Sequence, residues 1–403
     1  MSTTTKKLVG LTIGMIDDFK AVESNSLLMN VIFLYEMIEK SNKYIPILIV
    51  CDSKDTDKKQ TEKLQYYNRQ YNYELLCTTC YKLDIFIEVF FDFGIELHKT
   101  FLKLNPNLKF IHVSYGNSFV IDTCYYLYLG DTKEDLDVEN LNNIANHTPE
   151  NTLYKDYNQL WISPHFRYSE DYYIAKYNIK EHQLMTARYI WDDWIQEIRN
   201  KEVGFDINPI IYHKTNVLNI GIFEANLHLI KTSIIPIYIA EYLYNNYKDK
   251  VNIGKVYITN LHHLHKRELF YNHIQSLNLY KDGKIHLSKN ACRFPQFMKA
   301  FNINFVICHQ MLNQLNYLHL ELFKLGIPFI HNCQMIRDLG YYYKEFEIRN
   351  AAKEIPKICH YHNLDDKTYM ENYNGRCKAV LYRYSPSNIK NINKTEEFLD
   401  KLF

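Results

Sequence analysis

The chain has 403 residues, with 47 Lys and Arg against 46 Asp and Glu, so its formal net charge at pH 7 is +1. This length is sufficient for two domains that each bury a core. The near-neutral charge excludes a strong overall field that would attract nucleic acid or an anionic membrane. Residues 1–7 lack the apolar segment of a signal peptide, and no run reaches the ~18 uninterrupted apolar residues that a membrane span needs.

The nine cysteines form no disulfide framework, because their number is odd and their spacing is irregular. They predict reduced thiols and a cytoplasmic location. Cys77 and Cys80 form an isolated CxxC motif. Cys359 and His362 are so distant in sequence that they are only weak evidence for a zinc site with this motif. The sequence therefore predicts no metal site.

Apolar runs alternate with helical periodicity in the first half of the chain. The sequence predicts strands at 7–14, 45–51, 83–90 and 108–113, a last strand at 160–162, helices at 27–38 and 94–104, and a charged helical stretch ending at Arg69. Strands and helices that alternate over about 30 residues indicate a parallel, doubly wound sheet. Residues 131–157 are polar and are predicted to form a loop.

The pattern breaks between Trp191 and Thr215 and then resumes. The second half predicts strands at 217–223, 256–259 and 285–287 and helices at 229–247 and 265–276. We therefore divide the chain into an N-terminal domain of residues 1–195, a linker of 196–215, a C-terminal domain of 216–365, and C-terminal helices over 366–403.

Residues 304–331 are predicted to form a β-α-β unit. An apolar strand ends at Cys308, a polar turn contains His309, Gln310 and Asn313, and a helix extends toward Gly326 before a strand at 328–331. A helix N-terminus at the carboxyl edge of a parallel sheet is suited to bind a diphosphate. Glu321, about two turns into this helix, could accept hydrogen bonds from ribose hydroxyls.

The pattern Glu321-x4-Gly326-x-Pro328 resembles the donor-site helix of GT-B-fold glycosyltransferases. Other segments, in the same order along most of residues 7–350, are similar to a little-characterised bacterial family of putative GT-B glycosyltransferases: 23–26, 112–122, 223–231, 309–310 with 316–317, and 331–332 with 340–343. The resemblance implies an α/β protein with two Rossmann-like, doubly wound parallel-sheet domains facing a cleft. The first would be the acceptor side, the second would bind a nucleotide-sugar, and the C-terminal helices would cross back to the first.

The same resemblance implies a set of donor-binding residues: Glu224, Asn226, Lys231, His309, Gln310, Asn313, Asn316 and Glu321. Lys231 is predicted within the first turns of the helix that follows the first strand of the C-terminal domain, where its charge would neutralise the departing diphosphate. Helix N-termini near Asn226 and Asn313 would assist it. We therefore predict a UDP- or GDP-sugar as substrate, with no cofactor and no divalent metal.

On the acceptor side, the candidates for the general base are Asp17, Asp18, Glu23 and His112, which flank predicted strand ends. The residues expected to bind the acceptor are Asn25, Tyr115 and Asn117, and Gly116 would allow a turn with positive φ. Many retaining enzymes of this fold have a glutamate eight residues before the ribose-binding one. Here that residue is Asn313, so retaining and inverting stereochemistry both stay open.

Several functions remain compatible with this sequence. The acceptor could be a glycan, a lipid or a protein, whereas the neutral charge argues against nucleic acid. A GT-B-type nucleotide-sugar epimerase and a catalytically inactive nucleotide-binding or assembly protein are the alternatives. A Rossmann dehydrogenase is disfavoured, because no predicted strand is followed by Gly-x-Gly-x-x-Gly. The sequence does not indicate an oligomeric state.

Overall fold

The computed structural model describes residues 6–14, 26–50, 64–66, 68–76, 80–89, 94–128, 156–195, 197, 214–262, 264, 267–289 and 294–403. The chain forms two compact units. The first comprises Met1–Asp192 with Tyr382–Phe403, and the second comprises Asp193–Leu381. Of the predicted linker, residues 198–213 lie outside the described residues, as does most of the predicted loop at 131–157.

Strands and helices alternate in both units. The strands are β1 Lys7–Ile13, β2 Tyr44–Val50, β3 Leu64–Tyr66, β4 Arg69–Tyr71, β5 Tyr73–Leu75, β6 Ile85–Glu88, β7 Lys109–Ser114, β8 Gln159–Ile162, β9 Leu184–Thr186, β10 Leu218–Ile222, β11 Ile253–Ile258, β12 Ile285–Leu287, β13 Phe305–Ile307, β14 Phe329–His331 and β15 Tyr341–Tyr342. The helices are α1 Ser26–Glu39, α2 Ile95–Leu104, α3 Ser118–Tyr128, α4 Glu170–Tyr177, α5 Ile234–Tyr247, α6 Glu268–Ser276, α7 Asn278–Lys281, α8 Phe294–Ala300, α9 Tyr317–Lys324, α10 Ile348–Tyr361, α11 Lys367–Tyr382 and α12 Ile389–Asp400.

The first unit contains a seven-stranded sheet in the order β5-β2-β1-β6-β7-β8-β9, and all of its pairs are parallel. Every residue of β6 and of β8 is buried, as expected for a parallel sheet covered on both faces. The predicted strand at 160–162 is present, but it does not end the sheet. The short strand β9 follows it and pairs at the edge.

The second unit contains a six-stranded parallel sheet in the order β12-β11-β10-β13-β14-β15. Counted within the unit, this is the strand order 3-2-1-4-5-6 of a Rossmann fold. Ile220 and Ile222 of β10 are fully buried, and Leu243 of α5 and Ile355 of α10 belong to the same core. The chain reverses its direction of growth between β10 and β13, so this pair is the switch point at which such sheets bind ligands.

The β-α-β unit predicted at 304–331 is confirmed as β13, α9 and β14. Gly326, with φ of +68°, ends the helix. Its N–H donates to the carbonyl of Phe323 at 3.2 Å, and the N–H of Ile327 donates to that of Leu322 at 3.1 Å. This pair of bonds is a Schellman motif, which requires the left-handed conformation that glycine adopts without strain.

The last helix, α12, belongs to the first unit. The hydroxyl of Ser41 donates to Glu396 at 2.5 Å, and that of Tyr44 donates to Asp400 at 2.7 Å. The side chain of Gln159 donates to the carbonyl of Phe398 at 2.8 Å. These contacts attach α12 to the edge of β2 and to β8.

The charged stretch ending at Arg69 is not helical where it is described, so that prediction is wrong there. β3 and β4 instead form an antiparallel hairpin. The guanidinium of Arg69 lies 2.7 Å from the carboxylate of Glu36, which is 3% exposed, and the hydroxyl of Tyr71 donates to the same carboxylate at 3.0 Å. A tertiary ion pair therefore outweighs the local helical pattern.

Candidate functional site

Two loops meet at the carboxyl edge of the second sheet. One follows β10 and includes Glu224, and the other follows β13 and includes His309. Because β10 and β13 are adjacent parallel strands, both loops lie at the switch point of the sheet.

Glu224 connects the two loops. Its side chain is 2% exposed and accepts hydrogen bonds from the backbone N–H of His309 at 3.1 Å and from the side-chain amide of Gln310 at 2.7 Å. Gln310 in turn accepts from the amide of Asn313 at 2.8 Å. Burial raises the pKa of Glu224 to about 7, although these hydrogen bonds and the charge of Lys231 act in the opposite direction.

Asn226 holds the first loop in its shape. It adopts a left-handed φ of 56°, which asparagine tolerates better than most residues. Its side-chain N–H donates to the carbonyls of Glu224 at 3.0 Å and Thr259 at 3.3 Å, and its side-chain oxygen accepts from the N–H of Ser233 at 2.8 Å. Its own N–H donates to the carbonyl of Lys231 at 2.9 Å. Asn226, predicted to bind the donor, thus has both ends of its amide engaged by the backbone.

Lys231 is not part of a helix, so its predicted position is wrong. Helix α5 begins at Ile234 after the N-cap Ser233, because Asn226 holds residues 226–233 as a closed loop. The same correction applies to the helix end predicted near Asn226.

Lys231 is partly buried, and within the described part of the chain its ammonium group has no hydrogen-bond or ion-pair partner. Burial lowers its pKa, while the charge of Glu224 raises it. A partly desolvated cation without a close counter-ion is unfavourable, and a bound anion would relieve that cost.

Several other polar atoms of the second unit are buried and have no hydrogen-bond partner among the described residues. They are Nδ1 of His228, Oγ of Ser233, Nε2 of His309, and both ring nitrogens of His319. Burial lowers the pKa of His228 and of His309 to about 4, and it places that of His319 well below its usual value. Buried polar atoms in folded proteins are usually paired, so the unpaired atoms in the loops after β10 and β13 are candidates to bind a polar ligand.

Three further predicted donor residues lie at or near α9. Asn316 is its N-cap and accepts from the N–H of Leu318 at 3.1 Å. Glu321 lies in the middle of the helix and is 4% exposed. Asn313 lies in the turn before the helix, as predicted, three residues ahead of the N-cap. It belongs to the hydrogen-bonded chain that starts at Glu224.

In the first unit, His112 of β7 is 4% exposed. Its Nε2 lies 3.2 Å from the hydroxyl of Tyr177, and its Nδ1 lies 3.9 Å from the carboxylate of Glu88. Tyr157 donates to that carboxylate at 2.6 Å. Glu88 was not singled out from the sequence, because it ends an apolar strand. Glu88 and His112 are neighbours in the register of the parallel strands β6 and β7. This proximity is visible in the sheet but not in the sequence.

The predicted acceptor-side turn follows β7. Asn117 is buried, donates to the hydroxyl of Tyr168 and accepts from the N–H of Val120 at 3.3 Å at the start of α3. Tyr115 is partly buried, and burial raises its pKa. Gly116 does not adopt a positive φ, contrary to the prediction. The hydroxyl of Tyr173 donates to its carbonyl at 2.9 Å.

The remaining candidates, Asp17, Asp18, Glu23 and Asn25, lie outside the described residues. Within the described ranges, no group of three His, Cys, Asp or Glu side chains is arranged to hold a metal ion. Among the helices that the structure describes, none is both long enough and apolar enough to cross a membrane.

Comparison with known proteins gives one family and a fold. The model of a family described as "Protein of unknown function (DUF2827)" matches residues 9–399. No curated protein matches the sequence.

Solved structures match over the full chain at low identity. The N-terminal domain of trehalose-6-phosphate phosphatase from Candida albicans is 10% identical with a TM-score of 0.56, and the match covers 100% of this chain and 97% of that one. A glycosyltransferase from Rickettsia africae ESF-5 and a sucrose-phosphate synthase from Thermosynechococcus elongatus are each 10% identical with a TM-score of 0.50, and each match covers 99% of both chains. With the two parallel-sheet units, this likeness confirms the predicted GT-B fold.

Proposed function

The chain belongs to the DUF2827 family of proteins of unknown function, and we propose that it is a glycosyltransferase that moves a sugar from a nucleotide-sugar to an acceptor. The observation that carries this proposal is the partly buried Lys231, which has no counter-ion among the described residues and lies in the loop after β10 at the switch point of a Rossmann-like sheet. In the loops that follow β10 and β13, polar atoms of His228, Ser233 and His309 have no hydrogen-bond partner among the described residues. A cation among neutral hydrogen-bonding groups fits a ligand that combines a diphosphate with hydroxyl groups.

In this reaction the bond between the sugar's anomeric carbon and a diphosphate oxygen breaks, and a bond to an acceptor oxygen forms. Negative charge accumulates on the diphosphate as it departs. Lys231 stabilises that charge, and because Asn226 fixes its loop beforehand, little reorganisation is needed during the reaction. Glu321 accepts hydrogen bonds from the ribose, and Asn316 contributes by capping α9.

The acceptor's proton must pass to a base. Asp17, Asp18, Glu23 and His112 are the proposed candidates, and Asn25, Tyr115 and Asn117 are the proposed acceptor contacts. A glycan, lipid or protein acceptor and a cytoplasmic location complete the proposal. An inactive nucleotide-binding or assembly protein and a nucleotide-sugar epimerase remain its alternatives.

A thermal-shift panel of UDP-sugars and GDP-sugars tests the proposal. A ligand that binds only the folded state raises the free energy of unfolding by about 2.7 kcal/mol at a concentration of 100 Kd, so the true donor class should stand out. Donor consumption that requires an acceptor would then identify a transferase. Binding without consumption favours the inactive protein, and release of free sugar without any acceptor favours the epimerase. A panel with no stabilising nucleotide or nucleotide-sugar would contradict the proposal.

We also expect turnover to persist in excess EDTA. Lys231 supplies positive charge at the place where a metal ion would otherwise neutralise the diphosphate. The measurement is donor consumption with the correct acceptor, with and without EDTA. Complete loss of activity that Mn²⁺ restores would remove this role from Lys231.

A further inference from the structure

The two ring nitrogens of His309 differ in their hydrogen bonding. The residue is 1% exposed. Its Nδ1 lies 2.8 Å from the hydroxyl oxygen of Tyr343, and that hydroxyl lies 3.1 Å from the carbonyl oxygen of Cys308. Its Nε2 is buried and has no hydrogen-bond partner within the part of the chain that the structure describes.

These contacts determine which nitrogen carries the proton. The carbonyl of Cys308 can only accept, so the single hydroxyl hydrogen of Tyr343 points toward it. The hydroxyl oxygen then accepts from Nδ1–H of His309. The opposite arrangement would leave the carbonyl without this donor, and an unsatisfied buried group costs about 1–3 kcal/mol. Nε2 is therefore the nitrogen without a proton.

The charge state of His309 agrees with this assignment. Burial lowers its pKa to about 4, so the ring is neutral near pH 7. A neutral ring with a bare Nε2 can accept a hydrogen bond but cannot donate one from that atom. It cannot pair with a phosphate oxygen, which is also an acceptor, and it requires a hydroxyl or N–H group on the ligand.

Resting on the proposed function, we propose that His309 binds a hydroxyl group of the transferred sugar through Nε2, and that Tyr343 is the positioning residue that holds the ring for this contact. Glu224 binds the backbone of His309 and also acts on the charge of Lys231, so His309 lies beside the proposed diphosphate site. The ring of Phe346, which is 56% exposed, has its centroid 5.1 Å from that of the imidazole, so a surface side chain lies next to His309.

Calorimetry with pairs of ligands tests this contact. The probes are UDP and GDP, which lack the transferred sugar, and UDP-glucose, UDP-N-acetylglucosamine and GDP-mannose, which contain one. We expect His309→Ala and Tyr343→Phe to weaken the affinity for the nucleotide-sugar by roughly three- to ten-fold, which is the value of one neutral hydrogen bond. The affinity for the corresponding nucleoside diphosphate should change less than about two-fold. His309→Gln, which can present an acceptor oxygen near the position of Nε2, should recover part of the loss.

Tyr341→Phe is the matched control, because it removes a tyrosine hydroxyl that lies 3.0 Å from another histidine, His362, in the same unit. It should leave both affinities unchanged. Equal weakening of the diphosphate and the nucleotide-sugar by His309→Ala would place the contact on the ribose or the phosphates and overturn the proposal, as would no weakening at all. Absence of any nucleotide binding by the wild-type protein would instead overturn the proposed function and this contact with it.

The tautomer can be measured without a ligand. NMR of the protein labelled with ¹⁵N-histidine should show His309 protonated on Nδ1 and not on Nε2, with its signals identified among the 17 histidines by their loss in His309→Gln. Protonation on Nε2 would overturn the assignment even if the substituted proteins folded poorly.

Discussion

Replacing Lys231 with methionine is expected to lower turnover by about one to two orders of magnitude without lowering the melting temperature. A charge-assisted contact to the leaving diphosphate is worth roughly 1.5–3 kcal/mol, which corresponds to that loss in rate. Stability should be retained because the described residues offer the ammonium no hydrogen bond or ion pair, and burial disfavours its charged form. The measurements are donor consumption at saturating acceptor and thermal unfolding.

Lys281→Met is the control for loss of a positive charge, because Lys281 is an exposed residue at the end of α7 in the same unit. It should leave turnover unchanged. Full activity of Lys231→Met would remove Lys231 from the site. A drop in both turnover and melting temperature would instead indicate that the lysine supports the fold.

Replacing Glu224 with alanine is expected to destabilise the second unit. The backbone N–H of His309 and the side-chain amide of Gln310 would lose their acceptor inside the protein. Each unsatisfied donor costs about 1–3 kcal/mol, so the free energy of unfolding, measured by urea denaturation, should fall by roughly 2–6 kcal/mol. A change below about 0.5 kcal/mol would show that the two loops do not depend on Glu224.

Glu224 should also produce a specific pH dependence. Its pKa is raised from 4.5 to about 7 in the folded state, so folding favours the protonated carboxyl. This contribution is fully present below pH 4.5 and is lost as the pH rises through 7, with a total on the order of 3 kcal/mol. Burial lowers the pKa of His228 and His309, so their contribution to stability rises with pH and opposes that of Glu224. Both histidines are also present in the Glu224→Gln variant, so their contribution cancels when the two proteins are compared.

The measured quantity is therefore the difference in unfolding free energy between the wild-type protein and Glu224→Gln. From pH 4.5 to above pH 7, the wild type should lose stability relative to this variant. A difference that is constant over this range would contradict the raised pKa of Glu224.

The sequence was sufficient to predict the alternating strands and helices of two parallel sheets because these signals are local, whereas the GT-B prediction rested on the resemblance to a family. Apolar runs such as 305–307 and 329–331 correspond to buried strands, and Gly326 followed by Pro328 marks the end of α9. These features depend on residues close together in the chain, where periodicity and turn chemistry are informative.

The arrangement of the site depends on contacts between distant residues, which one sequence does not contain. Glu224 accepts hydrogen bonds from His309 and Gln310, which are separated from it by 85 and 86 positions in the sequence. The sequence therefore indicated these residues as candidates for the site, but it did not predict the hydrogen bonds between them. The loop that holds Lys231 was mistaken for a helix, because the apolar pattern from 229 onward continues into α5. Only the left-handed Asn226 and its bonds to the backbone reveal the loop.

The most direct test of the account is a crystal structure with the nucleoside diphosphate that the thermal-shift panel identifies. The account predicts a diphosphate oxygen within about 4 Å of Nζ of Lys231, the distance of an ion pair, at the carboxyl ends of β10 and β13. A diphosphate bound elsewhere, with the ammonium of Lys231 still lacking an anionic partner, would contradict the central claim.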